Sequence, residues 1–509
     1  MNPNVSAPKR AVGIETVEMT MRFGGFTALD SVSIKVKSGS FHALLGENGA
    51  GKSTLVKCIM GFYHATSGHL LVDDREAEVQ DPRAAHALGL GMVYQHFTLV
   101  PSLTAAENLV ISRSNTPAII NWRHERKALA AFMESMPFGV PLDLPVSRLA
   151  AGEKQKLEIL KQLYLGRSFL ILDEPTSVLT PAEADEVLGL VKSLTIAGEL
   201  TALMISHKFR EVMAFADEVS VLRRGLYTGG GKVADLTPAM LASMMVGSEI
   251  TSKPAERTGS IGDTILSLKD IRAKDRSGLK TIEIDTLDVK AGEIVGIAGI
   301  SGNGQMELME ILAGQRPVSR GTMSVHGSAY HASRPEARAN HVRYLPEEPL
   351  RNACAPSMTV AENIAFRTFD VKDGKTRFWI SNGDMARFAS ELVALYRVKT
   401  ASLESPIASL SGGNVQRAVL ARELTGEVDL LIISNPCFGL DFSAVAEIRS
   451  RIIAARNRGA AVLLMSEDLD EVLELSDRVL VMSEGRVAFQ THIAKADVGE
   501  IGRYMAGHG

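Results

Sequence analysis

A stretch near the N-terminus combines glycine, lysine and hydroxyl residues at the spacing of a phosphate-binding loop. The residues GENGAGKST, 46–54, satisfy the pattern G-x-x-x-x-G-K-[S/T]. In that pattern the loop amides surround phosphates, the lysine contacts the β- and γ-phosphates, and the following hydroxyl binds Mg²⁺. We therefore expect nucleotide phosphates and Mg²⁺ to bind at this loop. The candidate residues are Gly46, Glu47, Asn48, Gly49, Ala50, Gly51, Lys52, Ser53 and Thr54.

The segments on either side of this loop support the same interpretation. An apolar run, FHALL, precedes the loop, and STLVKCIMGF follows it. The first is typical of a buried strand and the second of a helix. A strand–loop–helix unit points the N-terminal amides of its helix at a bound anion. The context favours a working site over a glycine-rich turn that matches the pattern by chance.

A second loop keeps the glycines of this pattern and lacks its working side chains. In GISGNGQMEL, 299–308, Gln305 stands where lysine is expected and Met306 replaces the hydroxyl residue. The loss of both groups predicts that this loop holds a nucleotide weakly at best and does not hydrolyse it.

The two loops belong to a repeat that runs along the whole chain. SRLAAGEKQ (147–155) is echoed by ASLSGGNVQ (408–416), and FLILDEPTSVLT (169–180) by LLIISNPCFGLD (430–441). Short apolar runs such as FLIL and LLII suit strands buried in a parallel sheet, and helical patterns alternate with them. The predicted fold class is therefore α/β. The predicted domains cover residues 11–250 and 264–509, with a polar linker over residues 251–263.

Bulk composition narrows the classes of function. The chain has 509 residues, 45% of them apolar and 22% charged, and a net charge of −4, which argues against a nucleic-acid partner. Three scattered cysteines form no C-x-x-C pair, so neither a zinc site nor a disulfide framework is expected, and a reducing cytosol fits. The N-terminal stretch has no apolar core of a secretion signal, and no run of 18 apolar residues occurs. A role at a membrane would require a docking partner.

The order of motifs resembles that of an ABC-type ATPase domain, present twice. It runs from GENGAGKST through Gln95, the G-x-x-Q segment and ILDEP to His207. The wording of RFGGFTALDSVS, LLGENGAGKSTL, VYQHFTLVPSLTAAENL and AGISGNGQ is similar to tandem ATPase subunits of simple-sugar and nucleoside importers. The resemblance implies two P-loop ATPase domains, each with a mostly parallel sheet and a helical subdomain, and ATP with Mg²⁺ as ligands.

The resemblance also assigns roles to side chains of the first half. It implies that Asp173 holds Mg²⁺, that Glu174 positions or deprotonates the attacking water, and that Gln95 senses Mg²⁺ and lines the water site. His207 would lie near the γ-phosphate, and adenine would stack on Phe23. Packing in the core is an equal alternative for Phe23, and a surface histidine without a role is the alternative for His207.

The second half departs from the family at the same positions. Asp173 and Glu174 are matched by Ser434 and Asn435, Gln95 by Glu347, and His207 by Glu467. The second signature loop, LSGGNVQ, is nonetheless intact, whereas the first reads LAAGEKQ, with Ala150 in place of the family's serine. In the family, ATP lies between the P-loop of one domain and the signature loop of the other, so the intact motifs are expected to face each other. The implied contacts from the second half are Ser411, Gly412, Gly413 and Gln416.

As a whole, the resemblance implies the ATP-hydrolysing motor of an importer for a nucleoside or simple sugar. The residues after Gln95 (96–109) and their second copy (347–363), here named the docking segments, would receive integral-membrane permease subunits. A solvent-shielded loop without a partner is the alternative. An extracytoplasmic solute-binding protein is a further implied partner, and the chain would be peripheral on the cytoplasmic face of the inner membrane. The competing hypothesis is a soluble tandem ATPase that acts on ribosomes or nucleic acid.

Overall fold

The computed structural model divides the chain into two compact units, Met1–Thr251 and Ser252–Gly509. Within the described residues, no helix combines the length and the apolar character that a membrane span requires. The described residues are 10–113, 116–117, 119–206, 208–247, 256–274, 278, 281–300, 302–372, 375–376, 379–437, 440, 442–505 and 507.

The described strands of the first unit form an antiparallel sheet and a mostly parallel one. They are β1 (Ile14–Phe23), β2 (Phe26–Val36), β3 (Phe41–Leu45), β4 (Ser67–Val72), β5 (Arg75–Glu76), β6 (Leu90–Val93), β7 (Phe169–Asp173), β8 (Thr201–Ile205), β9 (Glu218–Arg223) and β10 (Leu226–Lys232). The antiparallel sheet has the order β2-β1-β4-β5, and the other has the order β10-β9-β3-β8-β7-β6. In the second sheet β9, β3, β8, β7 and β6 run parallel. Their carboxyl ends therefore meet at one edge, where ligands bind in open α/β sheets.

Helices cover this sheet and form a separate cluster beside it. Helix α1 packs its apolar side chains on β3 and β8, because Leu55, Val56 and Ile59 share one buried cluster with Leu44 and Leu203. The described helices are α1 (Lys52–Ile59), α2 (Pro82–Ala87), α3 (Ala105–Ile111), α4 (Trp122–Glu134), α5 (Ala151–Tyr164), α6 (Pro181–Ile196), α7 (Phe209–Phe215) and α8 (Pro238–Val246).

The second unit repeats this plan with its two sheets joined into one. Its described strands are β11 (Thr264–Lys274), β12 (Thr281–Lys290), β13 (Ile294–Ala298), β14 (Arg320–Val325), β15 (Ser328–Ala329), β16 (Val342–Leu345), β17 (Val371–Lys372), β18 (Lys375–Thr376), β19 (Leu430–Ser434), β20 (Ala461–Met465), β21 (Arg478–Ser483) and β22 (Arg486–His492). A ten-stranded sheet has the order β15-β14-β11-β12-β22-β21-β13-β20-β19-β16. The junction is a short parallel pairing of Glu283 with Arg486.

The helices of the second unit include a cluster in which α12, α13 and α14 share one core through Ile364, Leu392 and Val419. The predicted α/β class with a mostly parallel sheet is confirmed in both units. The described helices are α9 (Gln305–Leu312), α10 (Arg334–Ala339), α11 (Pro349–Asn352), α12 (Val360–Ile364), α13 (Asn382–Leu395), α14 (Gly412–Glu423), α15 (Phe442–Asn457), α16 (Leu469–Leu475) and α17 (Val498–Met505).

The end of the predicted linker packs on the second unit. The Thr258 amide donates to Asn457 Oδ1 across 3.0 Å, and the Gly262 amide donates to the Ala291 carbonyl across 2.9 Å. Residues 251–255 of that linker lie outside the described residues. The described part is therefore held by the second unit through specific hydrogen bonds.

Candidate functional site

The loop over residues 46–51 connects β3 to α1, as the sequence predicts. Gly51 precedes the helix with φ 105°, and a Cβ there would lie 2.9 Å from the Ala28 carbonyl oxygen. A Cβ at Gly46 would lie 2.4 Å from the Leu222 carbonyl oxygen. Only glycine fits at either position. The predicted helix over residues 53–62 is too long at its end, because α1 stops at Ile59 and Gly61 takes a left-handed conformation with φ 74°.

Lys52, the first residue of α1, folds its side chain over the loop. Its ammonium donates to the carbonyls of Gly46, across 2.5 Å, and Glu47, across 3.0 Å. Burial lowers the pKa of Lys52, and the negative charges of Glu174, Asp173 and Glu47 oppose that shift. The loop thus holds a partly desolvated cation beside two carboxylates, a setting in which an added anion would be well stabilised.

Asp173 ends β7 beside this cation. Burial raises the pKa of Asp173, and the adjacent Glu174 charge raises it further, while Lys52, Lys57 and His96 act in the opposite direction. Two neighbouring carboxylates in a partly buried position leave an excess of negative charge. A divalent cation would neutralise it.

Glu174 is held by its backbone and by a glutamine. Its φ is 49°, in the left-handed region, and its amide donates to the Ile205 carbonyl across 3.0 Å. A left-handed conformation costs a non-glycine residue about 1–2 kcal/mol. Gln95, two residues after β6, donates from Nε2 to Glu174 Oε2 across 3.1 Å. The structure therefore brings Gln95 to the carboxylate that the sequence analysis assigned to the attacking water.

The remaining predicted residues of the first half differ in exposure, and one of them lies outside the described residues. The Phe23 ring is 43% exposed and meets the Tyr63 ring edge to face with centroids 5.3 Å apart, so it is not part of the core. Ser53 and Asn48 are exposed, and Thr54 is half-buried. His207 lies outside the described residues.

In the second unit, Gln305 occupies the loop that it follows. The side chain is 7% exposed, and Nε2 donates to the Ile300 carbonyl across 3.2 Å. Ile300 matches Glu47, whose carbonyl Lys52 contacts in the first unit. A Cβ at Gly299 would lie 2.1 Å from Gln305 Nε2. A neutral amide thus fills the loop and satisfies its carbonyl without adding charge.

The acidic strand end is likewise replaced by groups bonded within the second unit. The Ser434 hydroxyl is buried and donates to the Met465 sulfur across 3.7 Å. Asn435 keeps the left-handed backbone, with φ 46°, and its Oδ1 accepts from the Glu467 amide across 2.8 Å. Burial raises the pKa of Glu347, and the Asn435 side chain opposes that shift. These replacements leave no ionised aspartate at the end of β19.

The two signature loops differ at the residue that precedes the helix. In the first unit the Ala150 amide donates to Glu153 Oε2 across 2.8 Å. In the second unit the exposed Ser411 hydroxyl accepts from Nδ2 of the Asn414 side chain across 2.8 Å and makes no capping bond to the backbone of α14. Gln416 is buried and donates to the carbonyls of Asn435, across 3.3 Å, and Pro436. Gln416 therefore ties α14 to the strand end of its own unit.

Two buried asparagines that the sequence analysis did not select organise the docking segments. Asn108 accepts from the Val100 amide across 2.8 Å and donates to the Val100 and Thr104 carbonyls. Asn363 makes the same bonds with Ala355 and Thr359. The recurrence of T-x-x-E-N in both halves was the signal that could have found them.

Two α/β units, each with a glycine-rich loop that joins a parallel strand to a helix, and the first with a complete phosphate-binding motif, define a tandem P-loop ATPase. The family model described as "ABC transporter" matches residues 29–177 and 282–437. The chain belongs to the ABC transporter family, and its ATPase domains occur in two tandem copies.

Similar proteins cover nearly the whole chain. The nucleoside import ATP-binding protein NupA of Lactococcus lactis subsp. cremoris is 38% identical, over 93% of this chain and 94% of its own length. The guanosine import ATP-binding protein NupO of Bacillus subtilis is 36% identical, over 97% of each. The glucose import ATP-binding protein TsgD13 of Haloferax volcanii is 36% identical, over 96% of this chain and 94% of its own.

Among solved structures, the RNase-L Inhibitor aligns with a TM-score of 0.65 and 19% identity, over 96% of this chain and 93% of its own. At that identity the likeness shows the fold alone.

Proposed function

We propose that this chain hydrolyses ATP in its first unit and thereby drives import of a small polar solute, a nucleoside or a simple sugar, through a separate permease. The names of relatives 36–38% identical over nearly their full length support an import function. Two of those three names specify nucleosides, so a nucleoside is our first choice.

The observation that carries the proposal is the grouping of Lys52, Asp173, Glu174 and Gln95 at one sheet edge. Lys52 and the loop amides would hold the β- and γ-phosphates of ATP. Glu174, oriented by the Gln95 amide, would accept a proton from the attacking water or position it. His207 would contact the γ-phosphate, and the exposed ring of Phe23 would stack on adenine.

The residues present fit Mg²⁺. A half-buried Asp173 beside the Glu174 charge and the hydroxyl of Ser53 offer the hard oxygen ligands that this ion prefers, together with phosphate oxygens and water. Gln95 would lie in the outer part of that site. When bound, Mg²⁺ would supply positive charge that stabilises the transferred phosphoryl group.

We propose further that the second unit is a partner in hydrolysis, as the family resemblance implies. Ser411, Gly412 and Gly413 would offer a hydroxyl and helix N-terminal amides to the γ-phosphate held by the first unit. The filled loop at Gln305 and the buried Ser434 support a unit that hydrolyses no ATP of its own. Intramolecular pairing of the two domains is therefore part of the proposal.

The proposed partners are integral-membrane permease subunits, bound through the docking segments, and an extracytoplasmic solute-binding protein. The chain would then sit on the cytoplasmic face of the inner membrane as a peripheral subunit. A soluble ATPase acting on ribosomes or nucleic acid is the weaker candidate, because the likeness to the RNase-L Inhibitor rests on fold at 19% identity.

The test is uptake of labelled nucleosides and sugars by a deletion strain that carries either the wild-type gene or the Glu174→Gln variant. The proposal predicts that the wild-type gene restores uptake of one solute class and that the variant restores none. Uptake unaffected by the deletion, for every solute tried, would contradict it.

A further inference from the structure

A buried ion pair in the first unit converges on one residue of a docking segment. Glu158 and Lys161 lie in the interior of α5, the helix that follows the first signature loop, and are 1% and 7% exposed. Lys161 Nζ lies 2.6 Å from Glu158 Oε2. The third member is Thr98, three residues after Gln95.

The backbone amide and the side-chain hydroxyl of Thr98 both bond to this ion pair. Its amide donates to Glu158 Oε1, and its hydroxyl donates to the same carboxylate across 2.9 Å. The hydroxyl also accepts from Lys161 Nζ across 2.7 Å. Burial raises the pKa of Tyr94, and the Glu158 charge raises it further, so this carboxylate also acts on the residue just before Gln95.

A buried ion pair is a poor device for stability alone. Removing two charges from water is costly, and well-packed apolar residues of similar volume often serve stability equally well. What an apolar pair could not supply is a set of directed bonds to Thr98. The contacts therefore indicate that the ion pair fixes the position of Thr98.

The second unit makes the same connection with different residues. Arg422 occupies the helix position of Lys161, and its guanidinium donates to the Ala353 carbonyl across 2.9 Å and to the Asn363 carbonyl across 3.1 Å, both in the second docking segment. Its counter-charge is the neighbouring Glu423, at 2.7 Å. Val419 stands where the first unit has Glu158, so the anion occupies a different position in the second unit. The cation occupies the same position in both units, and its target Ala353 matches Thr98 in the repeat.

We infer that Lys161 and Arg422 are positioning residues that bind each docking segment to the helix following its signature loop, so that the two move together. This inference rests on the proposed function, in which the permease acts on the docking segments. If the permease displaces a docking segment, the buried cation would pass that displacement to the helix and so to the signature loop that precedes it. This route adds to the one along the chain from the docking segment to Gln95.

The test uses the full chain with its permease in proteoliposomes, and a double variant, Glu158→Leu/Lys161→Met, that removes both charges while keeping an apolar core. We expect a thermal midpoint close to that of the wild type and a several-fold fall in solute molecules transported per phosphate released. Lys161→Arg, which keeps the cation, should retain the wild-type ratio. A wild-type ratio in the double variant would overturn the inference, because a purely structural pair would affect only the folded fraction.

A second readout does not depend on the permease. Hydrogen exchange at the Thr98 amide should be about tenfold faster in the double variant of the isolated chain, since a hydrogen bond to a charged acceptor is lost. If the double variant fails to fold, Thr98→Val and Thr98→Ser replace it, because Thr98 is exposed and only the serine keeps the hydroxyl. Both variants keep the backbone amide and Glu158, so the readout is then the transport ratio, and a wild-type ratio in Thr98→Val would overturn the inference. Absence of transport with the wild-type chain would refute the proposed function instead, while the exchange data would still decide this one.

Discussion

The Gln95 amide donates a hydrogen bond to the Glu174 carboxylate across 3.1 Å, joining the end of β6 to the end of β7. The second unit inverts these chemical types, with a carboxylate at Glu347 and an amide at Asn435. In the first unit the Gln95 amide can orient an ionised Glu174 as a base. In the second unit the carboxylate belongs to the partly buried Glu347, whose pKa is raised, and the strand end carries Asn435, which is not a base. We therefore expect hydrolysis at the strand end that carries Glu174 and none at the strand end that carries Asn435.

Gln95→Glu places a second negative charge beside Glu174. Like charges at hydrogen-bond distance disfavour ionisation of both groups, so we expect turnover at neutral pH to fall by about 10–100-fold. Steady-state phosphate release checks this result. The matched change Glu347→Gln in the second unit should alter turnover by less than about twofold, and equal effects of the two variants would argue against the assignment.

Asp173→Asn should stabilise the nucleotide-free protein while abolishing turnover. Burial and the Glu174 charge raise the pKa of Asp173 above its ordinary value of 3.8, so the ionised aspartate carries a penalty at neutral pH. That penalty is absent once the pH falls below both pKa values, so the gain in the free energy of unfolding should shrink on acidification. Urea unfolding at several pH values measures it.

A control for that experiment is Asp185→Asn, which breaks an exposed ion pair with Arg210. Such pairs contribute about 0–1 kcal/mol, and we expect little change at any pH. A destabilised Asp173→Asn protein at neutral pH would contradict the electrostatic account of this strand end.

Gly51→Ala should weaken nucleotide binding by at least about tenfold, because the new Cβ would meet the Ala28 carbonyl at 2.9 Å and force the loop to shift. Gly49→Ala is the matched control: its φ is also positive, at 79°, and nothing lies within 4 Å of the added atom. Titration with a fluorescent ATP analogue distinguishes the two. Similar losses in both would mean that backbone strain, and not the close contact, sets the effect.

Ser411→Ala tests the proposed contribution of the second unit. Loss of one preorganised donor to the γ-phosphate costs about 10²–10³ in rate, so turnover by the assembled transporter should fall strongly. Ala150→Ser should change turnover little, because Gln305 and Ser434 cannot hold phosphate and Mg²⁺. The opposite pattern, a gain with Ala150→Ser and no loss with Ser411→Ala, would invert the assignment.

Sequence reasoning located the groups that form local motifs. The P-loop, the strand ends at Asp173 and Ser434, and the repeat all depend on short segments whose residue types are dictated by phosphate and metal chemistry. It overestimated α1, because Met60–Phe62 continue the apolar pattern although Gly61 packs against Asp81 with φ 74°.

Long-range contacts could not be predicted from the sequence. Lys161 and Arg422 are ordinary helix formers in the interiors of α5 and α14, and only the folded chain brings them to Thr98 and Ala353. The sequence showed that Gln305 replaces the lysine of the loop, but it did not show that the Gln305 side chain bonds to the Ile300 carbonyl. That bond depends on a rotamer that no motif encodes.

We claim that all hydrolysis by this chain occurs at the site built on Lys52. The most direct measurement is steady-state phosphate release by Lys52→Ala and Gln305→Ala, each in the full chain with its permease, with circular dichroism to verify folding. Lys52→Ala should abolish turnover, because the cation that contacts the phosphates is gone. Gln305→Ala should keep most of it, since the amide only fills its own loop. Turnover lost as completely in the folded Gln305 variant as in the Lys52 variant would contradict the claim.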